Sequence, residues 1–432
     1  MIMAMIRPET EMKDSGIEWE KIVPIEWNKC RLKDYFEFEK GKNAQIYTKD
    51  YIGLHKGNFP VYSGQTENDG VMGEIDTYDY ELDECLFSTT VGAKVMTPKV
   101  LSGKFSLSQN CLIMRKIRKC VIRFVYYALF PLFDYERTKI PAYMQPSLRI
   151  EDLKSYKLYM PLYTEQQAIA DYLDETCSKI DEIIAEAKAS IDEYKELKQS
   201  VIFEAVTKGL DKNVEMKDSG YDFIGDIPSK WEMCKVRHLG TAQNGISIGG
   251  DAFGSGYSFV SYGDVYKNYS LPKTVDKLVR SSEEDRKRYS VEKGDWFFTR
   301  TSETIEEVGF SCVCEETIPD AVFAGFLIRV RPFNNRIYTR FAKYYFRSNH
   351  LRTFFVKEMN LVTRASLAQG LLKDAPVVVP PYDEQIEIAN YLENKCTIID
   401  GVIKDKESTI KDLESYKKSL IYEVVTGKRR VV

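Results

Sequence analysis

Residues Thr164–Thr207 read TEQQAIADYLDETCSKIDEIIAEAKASIDEYKELKQSVIFEAVT. Stepping through them by threes and fours selects Ile169, Leu173, Thr176, Ile180, Ile183, Ala187, Ser190, Tyr194, Leu197 and Val201, a seam held over about five heptads, as in a coiled-coil helix. No Pro or Gly interrupts it. At about 1.5 Å per residue the stretch makes a rod roughly 65 Å long, too long for one small domain to cover. It requires a partner helix.

The chain supplies the partner itself. Asp383–Thr426 repeats the stretch at an offset of 219: Glu165-Gln166 returns as Glu384-Gln385, Ile169-Ala170 as Ile388-Ala389, Tyr172-Leu173 as Tyr391-Leu392, and Ser200–Thr207 (SVIFEAVT) as Ser419–Thr426 (SLIYEVVT). The second seam reads Ile388, Leu392, Lys395, Ile399, Val402, Lys406, Thr409, Leu413, Tyr416 and Leu420. Polar seam positions cost stability but fix register.

Outward from the two rods, a second repeat opens each half. EMKDSG at Glu11–Gly16 returns at Glu215–Gly220, an offset of 204, and Pro24-Ile25-Glu26-Trp27 returns as Pro228-Ser229-Lys230-Trp231, with Cys30 matching Cys234 and Gly41 matching Gly245. The whole chain is therefore a tandem duplication. Its parts divide as a globular region 1–163, a helix 164–207, a second globular region with linker 208–382, a second helix 383–426 and a tail 427–432. Alternation and β-branched content predict strands at 61–62, 85–91 and 105–114, then a helix at 121–133. In the second globule they predict strands at 295–300, 308–314 and 323–331, then a helix at 339–359. Each region closes on a short strand, 156–160 and 377–379. This is an α+β pattern given twice, with interiors that share almost nothing at residue level.

Nine cysteines, an odd number with no C-x-x-C pair, argue for a reducing cytoplasm and against a zinc site. No apolar run reaches 18 residues, which excludes a membrane-spanning helix, and the opening MIMAMIRPET lacks the features of a signal peptide. The formal charge of −4 is unevenly held: the helices carry −7 and −4, leaving about +7 on the globular parts. A basic globule meets the requirement of a phosphate-tracking surface, while acid-rich helix surfaces are common in themselves.

Loops in both globules mix hydroxyl, amide and basic side chains. In the first, the candidates are Tyr62, Ser63, Gln65, Thr66, Thr89, Thr90, Lys94, Gln109, Asn110, Tyr143 and Gln145. In the second they are Arg300, Thr301, Ser302, Arg364, Ser366 and Gln369. Gln and Asn pair bidentately with adenine and Arg with guanine, while Ser, Thr and Lys hold phosphates. The run Arg115-Lys116-Ile117-Arg118-Lys119 fits a phosphate contact or a solvated strand end equally well. Catalytic signatures fail. There is no phosphate loop, and Gly245–Gly256 lacks the strand-then-helix setting of a nucleotide fingerprint. Pro380-Pro381-Tyr382 imitates an adenine methyltransferase motif, but Val379 stands where an Asn or Asp must bond the amino group. No catalytic residue and no metal site is expected.

Two variable regions, each opened by P-x-x-W and closed by an E-Q-x-x-I-A helix ending in S-[VL]-I-x-E-x-V-T, resemble the specificity subunit of type I restriction-modification enzymes. The resemblance implies two target recognition domains, 1–163 and 208–382, separated by two long helices in an antiparallel coiled coil with internal pseudo-twofold symmetry. The helix-pairing residues would be Ile169, Leu173, Ile180, Ile183, Tyr194, Leu197, Val201, Ile388, Leu392, Ile399, Val402, Leu413, Tyr416 and Leu420. It implies binding of a bipartite double-stranded DNA site with a spacer set by the helices, and docking of two methyltransferase subunits and of restriction subunits. S-adenosylmethionine and ATP with Mg would belong to those partners, with no cofactor on this chain. Two other readings compete: a protein-binding scaffold without DNA affinity, and a self-contained modification enzyme, which the missing cofactor motifs oppose.

Overall fold

The computed structural model describes residues 4–65, 68–92, 95–141, 143–302, 308–358 and 365–431. The chain forms two compact units, one of residues 1–187 with 407–432 and one of residues 188–406. Each unit combines one globule with the N-terminal half of one long helix and the C-terminal half of the other. The long helices run Tyr163–Lys208 and Tyr382–Val425.

The 1–187/407–432 unit carries a six-stranded sheet in the order Phe36–Lys40, Cys111–Lys116, Tyr80–Thr89, Pro98–Leu107, Lys56–Tyr62, Val71–Ile75. Helix Ile122–Thr138 buries Phe124, Val125, Leu129, Leu132 and Phe133 in the same core as Leu86, Leu112 and Met114 of the sheet. The 188–406 unit has a four-stranded sheet, Gly240–Asn244, Leu327–Pro332, Trp296–Thr299, Ser311–Val313, and a three-stranded one built on Phe253–Val260.

The interiors are more alike than their residues. Leu112 opposes Lys40 and Ser88, and Ile328 opposes Asn244 and Phe298. Three strands of each sheet thus correspond at constant offsets of 204, 216 and 210. Two predicted strands, 105–114 and 323–331, are in fact strand pairs broken by a two-residue turn, Gln109-Asn110 and Gly325-Phe326. Asn110 has φ 65°, a conformation that ends a strand. The predicted helix 339–359 is two helices, Thr339–Tyr345 and Asn349–Glu358; residue 359 lies outside the described residues. Between them Arg347 donates to the carbonyls of Val265, Tyr266 and Ser311, and the Ser348 hydroxyl bonds the Tyr345 carbonyl, which fixes the break.

The repeated motifs are the joints between globule and helix. The Trp27 indole donates to Glu165 at 3.1 Å and the Trp231 indole to Glu384 at 2.8 Å. Gln166 accepts from the Val121 amide (2.9 Å) and donates to the Pro161 carbonyl (2.9 Å); Gln385 accepts from Tyr338 (2.7 Å) and donates to Pro380 (2.9 Å). Val121 and Tyr338 each precede a helix, so one buried amide ties two helix starts together. The helices end on Gly209 (φ 78°) and Gly427 (φ 70°). A Cβ there would stand 3.0 Å from the Trp231 or Trp27 ring. The shift from Lys208-Gly209 to Gly427-Lys428 therefore leaves one device intact. The tail is not free: Arg429–Val431 pairs antiparallel with Ala4–Ile6.

Within each unit the two helix segments run antiparallel. Lys417 pairs with Asp181 at 2.6 Å in one, and Lys198 with Asp400 at 2.7 Å in the other, and these ion pairs are copies at the 219 offset. The seam departs from the predicted one. Ile169, Leu173, Ile180, Ile388, Leu392, Ile399 and Leu420 are buried, and Tyr194, Val201, Val402 and Leu413 half-buried. Ile183 (49% exposed), Leu197 (48%) and Tyr416 (48%) face outward, and Ile184 and Ile191 take the buried places. The seam steps 169, 173, 177, 180, 184, with Cys177 inside: two successive four-residue steps, 169 to 173 to 177, occur where an unbroken heptad alternates four with three. The early turns pack on the globule, where Asp174 takes Arg123 and Tyr127 of helix Ile122–Thr138, and this resets the phase.

Candidate nucleic-acid interface

In the 1–187/407–432 unit, strand Tyr80–Thr89 runs into Thr90, whose amide donates to the Asn110 carbonyl at 2.8 Å. The Thr90 carbonyl accepts from Leu148 at 2.8 Å, and Val91 bridges to Ser147. Three chain segments distant in sequence are thereby drawn to one end of the sheet. They surround an open cleft of about 700 Å³ whose lining includes Lys40, Asn43, Gln45, Gln109, Asn110 and Arg149.

The 188–406 unit repeats the arrangement. The Arg300 amide donates to the Phe326 carbonyl at 2.9 Å, the Arg300 carbonyl accepts from Leu367 at 2.7 Å, and Thr301 pairs with Ser366. Thr90 thus corresponds to Arg300, Gln109-Asn110 to Gly325-Phe326, and Ser147-Leu148 to Ser366-Leu367. The side-chain amides of Gln369 and Asn244 lie 2.9 Å apart beside this junction.

Of the predicted contact residues, Thr90, Gln109 and Asn110 line the first cleft, and Arg300, Thr301, Ser302 and Ser366 are gathered by backbone pairing in the second unit, with the Gln369 side chain against Asn244 beside them. Tyr143 (88% exposed) and Gln145 stand on the segment leading to Ser147. Others serve the fold. The Tyr62 ring is half-buried against Phe87 and Phe105, with burial raising its phenol pKa. The Ser63 hydroxyl accepts from the Gln65 amide (3.3 Å), and the Gln65 side chain donates to Val71 (2.6 Å), so both close their own loop. Thr89 is a buried strand end. Thr66, Lys94 and Arg364 lie outside the described residues. The basic run proves to be a strand end: Arg115 pairs with Glu37 at 2.9 Å and with Glu39, and Arg118 covers the Tyr35 ring.

Lys40, Asn43, Gln45, Arg149, Asn244 and Phe326 were not foreseen. A signal for the first three existed in the match of Gly41 to Gly245. A Cβ at Gly41 would stand 2.5 Å from the Leu107 carbonyl oxygen, and one at Gly245 would stand 2.2 Å from that of Ala324. Only glycine lets the loop after the strand press so closely on the neighbouring turn. That press sets Lys40–Gln45 beside Gln109-Asn110.

Among the described residues, no cluster of three or more His, Cys, Asp or Glu could hold a metal ion, and no helix is long and apolar enough to cross a membrane.

Residues 24–193 and 228–411 match the family model described as the type I restriction modification DNA specificity domain. The chain is 20% identical to the MjaVIII type I restriction enzyme specificity subunit of Methanocaldococcus jannaschii, over 100% of this chain and 98% of that one. It is 23% identical to the EcoBI specificity subunit of Escherichia coli, over 71% and 65%. It is also 29% identical to the MpnII specificity subunit of Mycoplasma pneumoniae, over 34% and 43%. The chain spans less than half the length of several curated relatives it matches. A chain solved in work on complex assembly and conformational transition of the type I R-M system has the same fold. Its TM-score is 0.69 at 14% identity, over 93% of this chain and 98% of that one.

Proposed function

Because the chain belongs to the type I restriction-modification DNA specificity family, we propose that it is the non-catalytic recognition subunit of such a complex, each unit reading one half of a bipartite duplex target. The observation that carries this reading is one framework with unlike contents. Both units draw the same three segments together by the same backbone bonds. One offers Thr90, Gln109 and Asn110; the other offers Arg300, Gly325 and Phe326. A scaffold that repeats its joints faithfully while changing the residues at these tips suits two different half-sites.

The remaining roles belong to partners. Two methyltransferase subunits would dock on the chain and use S-adenosylmethionine to methylate adenine at N6. Restriction subunits with ATP and Mg would cleave unmethylated DNA. The setting proposed is the cytoplasm, in keeping with nine cysteines that are all free.

The purified chain with its methyltransferase subunit should retain duplex DNA selected from a random pool, and binding should weaken roughly tenfold or more between 50 and 200 mM salt. A complex that assembles but retains no DNA would leave only the protein-scaffold reading.

A further inference from the structure

Phe326 is 65% exposed at the tip of a turn closed by the Leu327 amide donating to the Ala324 carbonyl at 3.0 Å. A single exposed phenylalanine is ordinary on a protein surface. Its place is not. The turn is pinned on two sides, by the Ile246–Ala324 bridge and by the Arg300 amide on the Phe326 carbonyl (2.9 Å). A Cβ at Gly325 would stand 2.9 Å from the Ser247 hydroxyl, so the backbone beneath the ring is closely packed. The neighbouring Leu327, the first residue of the following strand, is fully buried and anchors the turn. In the other unit the same position holds Asn110, in the cleft with Gln109. The ring is thus held out on a rigid tip where its counterpart is an amide suited to adenine, and it adds nothing to the core.

We propose that Phe326 is a specificity-determining residue that lays its ring against the C5-methyl of a thymine in the major groove. This rests on the DNA-recognition reading above. A phenyl ring cannot bond a base edge, and the thymine methyl is the apolar group which the major groove exposes. The two units then use opposite chemistries at one framework position, an amide in one half-site and an apolar face in the other.

The test uses the full chain in complex with its methyltransferase subunit, on the duplex that the wild-type complex methylates. Each thymine of the half-site read by the 188–406 unit is replaced in turn by uracil, which lacks only the methyl. Wild type should bind roughly threefold to tenfold more weakly at one such position. Phe326→Ala should be indifferent there, and Phe326→Leu should keep part of the preference. Melting temperatures should be unchanged, since the ring is exposed. An unchanged uracil response in Phe326→Ala would overturn the proposal. So would an equal loss on thymine and uracil duplexes, which would make the ring a stacking wedge. A wild-type complex that binds no DNA would instead sink the underlying reading, and the proposal with it.

Discussion

At the scale of single residues, the repeated E-Q pair shows how much a motif conceals. It was legible as a duplication mark, but nothing in the spelling says that Glu165 takes the Trp27 indole while Gln166 bridges Val121 and Pro161. Trp27 lies 138 residues from Glu165, and Val121 lies 45 from Gln166. Gln385→Ala would strand the half-buried Tyr338 amide and the buried Pro380 carbonyl, and should cost about 2–4 kcal/mol in urea unfolding. Glu20 was not legible at all. It is buried, accepts from the Tyr159 amide at 3.1 Å, and its other oxygen has no partner among the described residues. Burial raises its pKa from 4.5 to about 7, against the opposing pull of the Tyr159 amide, Lys29 and Lys428. A carboxyl that holds its proton more tightly when folded contributes stability fully below pH 4.5 and loses it as pH rises through about 7. Glu20→Gln should remove that slope and be more stable than wild type at pH 8, by up to roughly 3 kcal/mol. Parallel pH profiles for the two proteins would contradict the assignment.

At the scale of elements, the existence of the long helices was plain from the sequence and their facing residues were not. Ile183 and Ile184 are adjacent and chemically identical, so a heptad count cannot choose between them. The choice is made by packing of the first turns on the globule, which inserts the extra four-residue step. Ile184→Ala should therefore cost roughly 2–4 kcal/mol, and Ile183→Ala within about 0.5 kcal/mol. Equal costs would restore the original seam. The terminal glycines make a similar case. Gly427→Ala combines φ 70° with a Cβ 2.4 Å from the Pro24 ring, and should destabilise by more than about 1 kcal/mol. Strand order in the two sheets was illegible because the correspondence runs at three offsets, 204, 210 and 216. Loops of different length separate strands that align only once paired.

At the scale of the whole molecule, the two repeats revealed the α+β duplication, and charge bookkeeping separated basic globules from acidic helices. The candidate recognition surface was half visible. Thr90, Gln109, Asn110 and Arg300 follow from residue type, whereas Phe326 does not, since nothing polar marks it. Loop composition identifies tips but cannot say which tips meet. On the proposed reading, each unit recognises its own half-site with its own tips. The most direct measurement is methylated-base sequencing of a methylation-free host expressing this chain with its cognate methyltransferase subunit, as wild type, Gln109→Ala and Arg300→Ala. The expected result is a bipartite N6-methyladenine motif in which each substitution relaxes one half and leaves the other intact. An assembled complex that leaves no methylation, or a single substitution that alters both halves together, would contradict it.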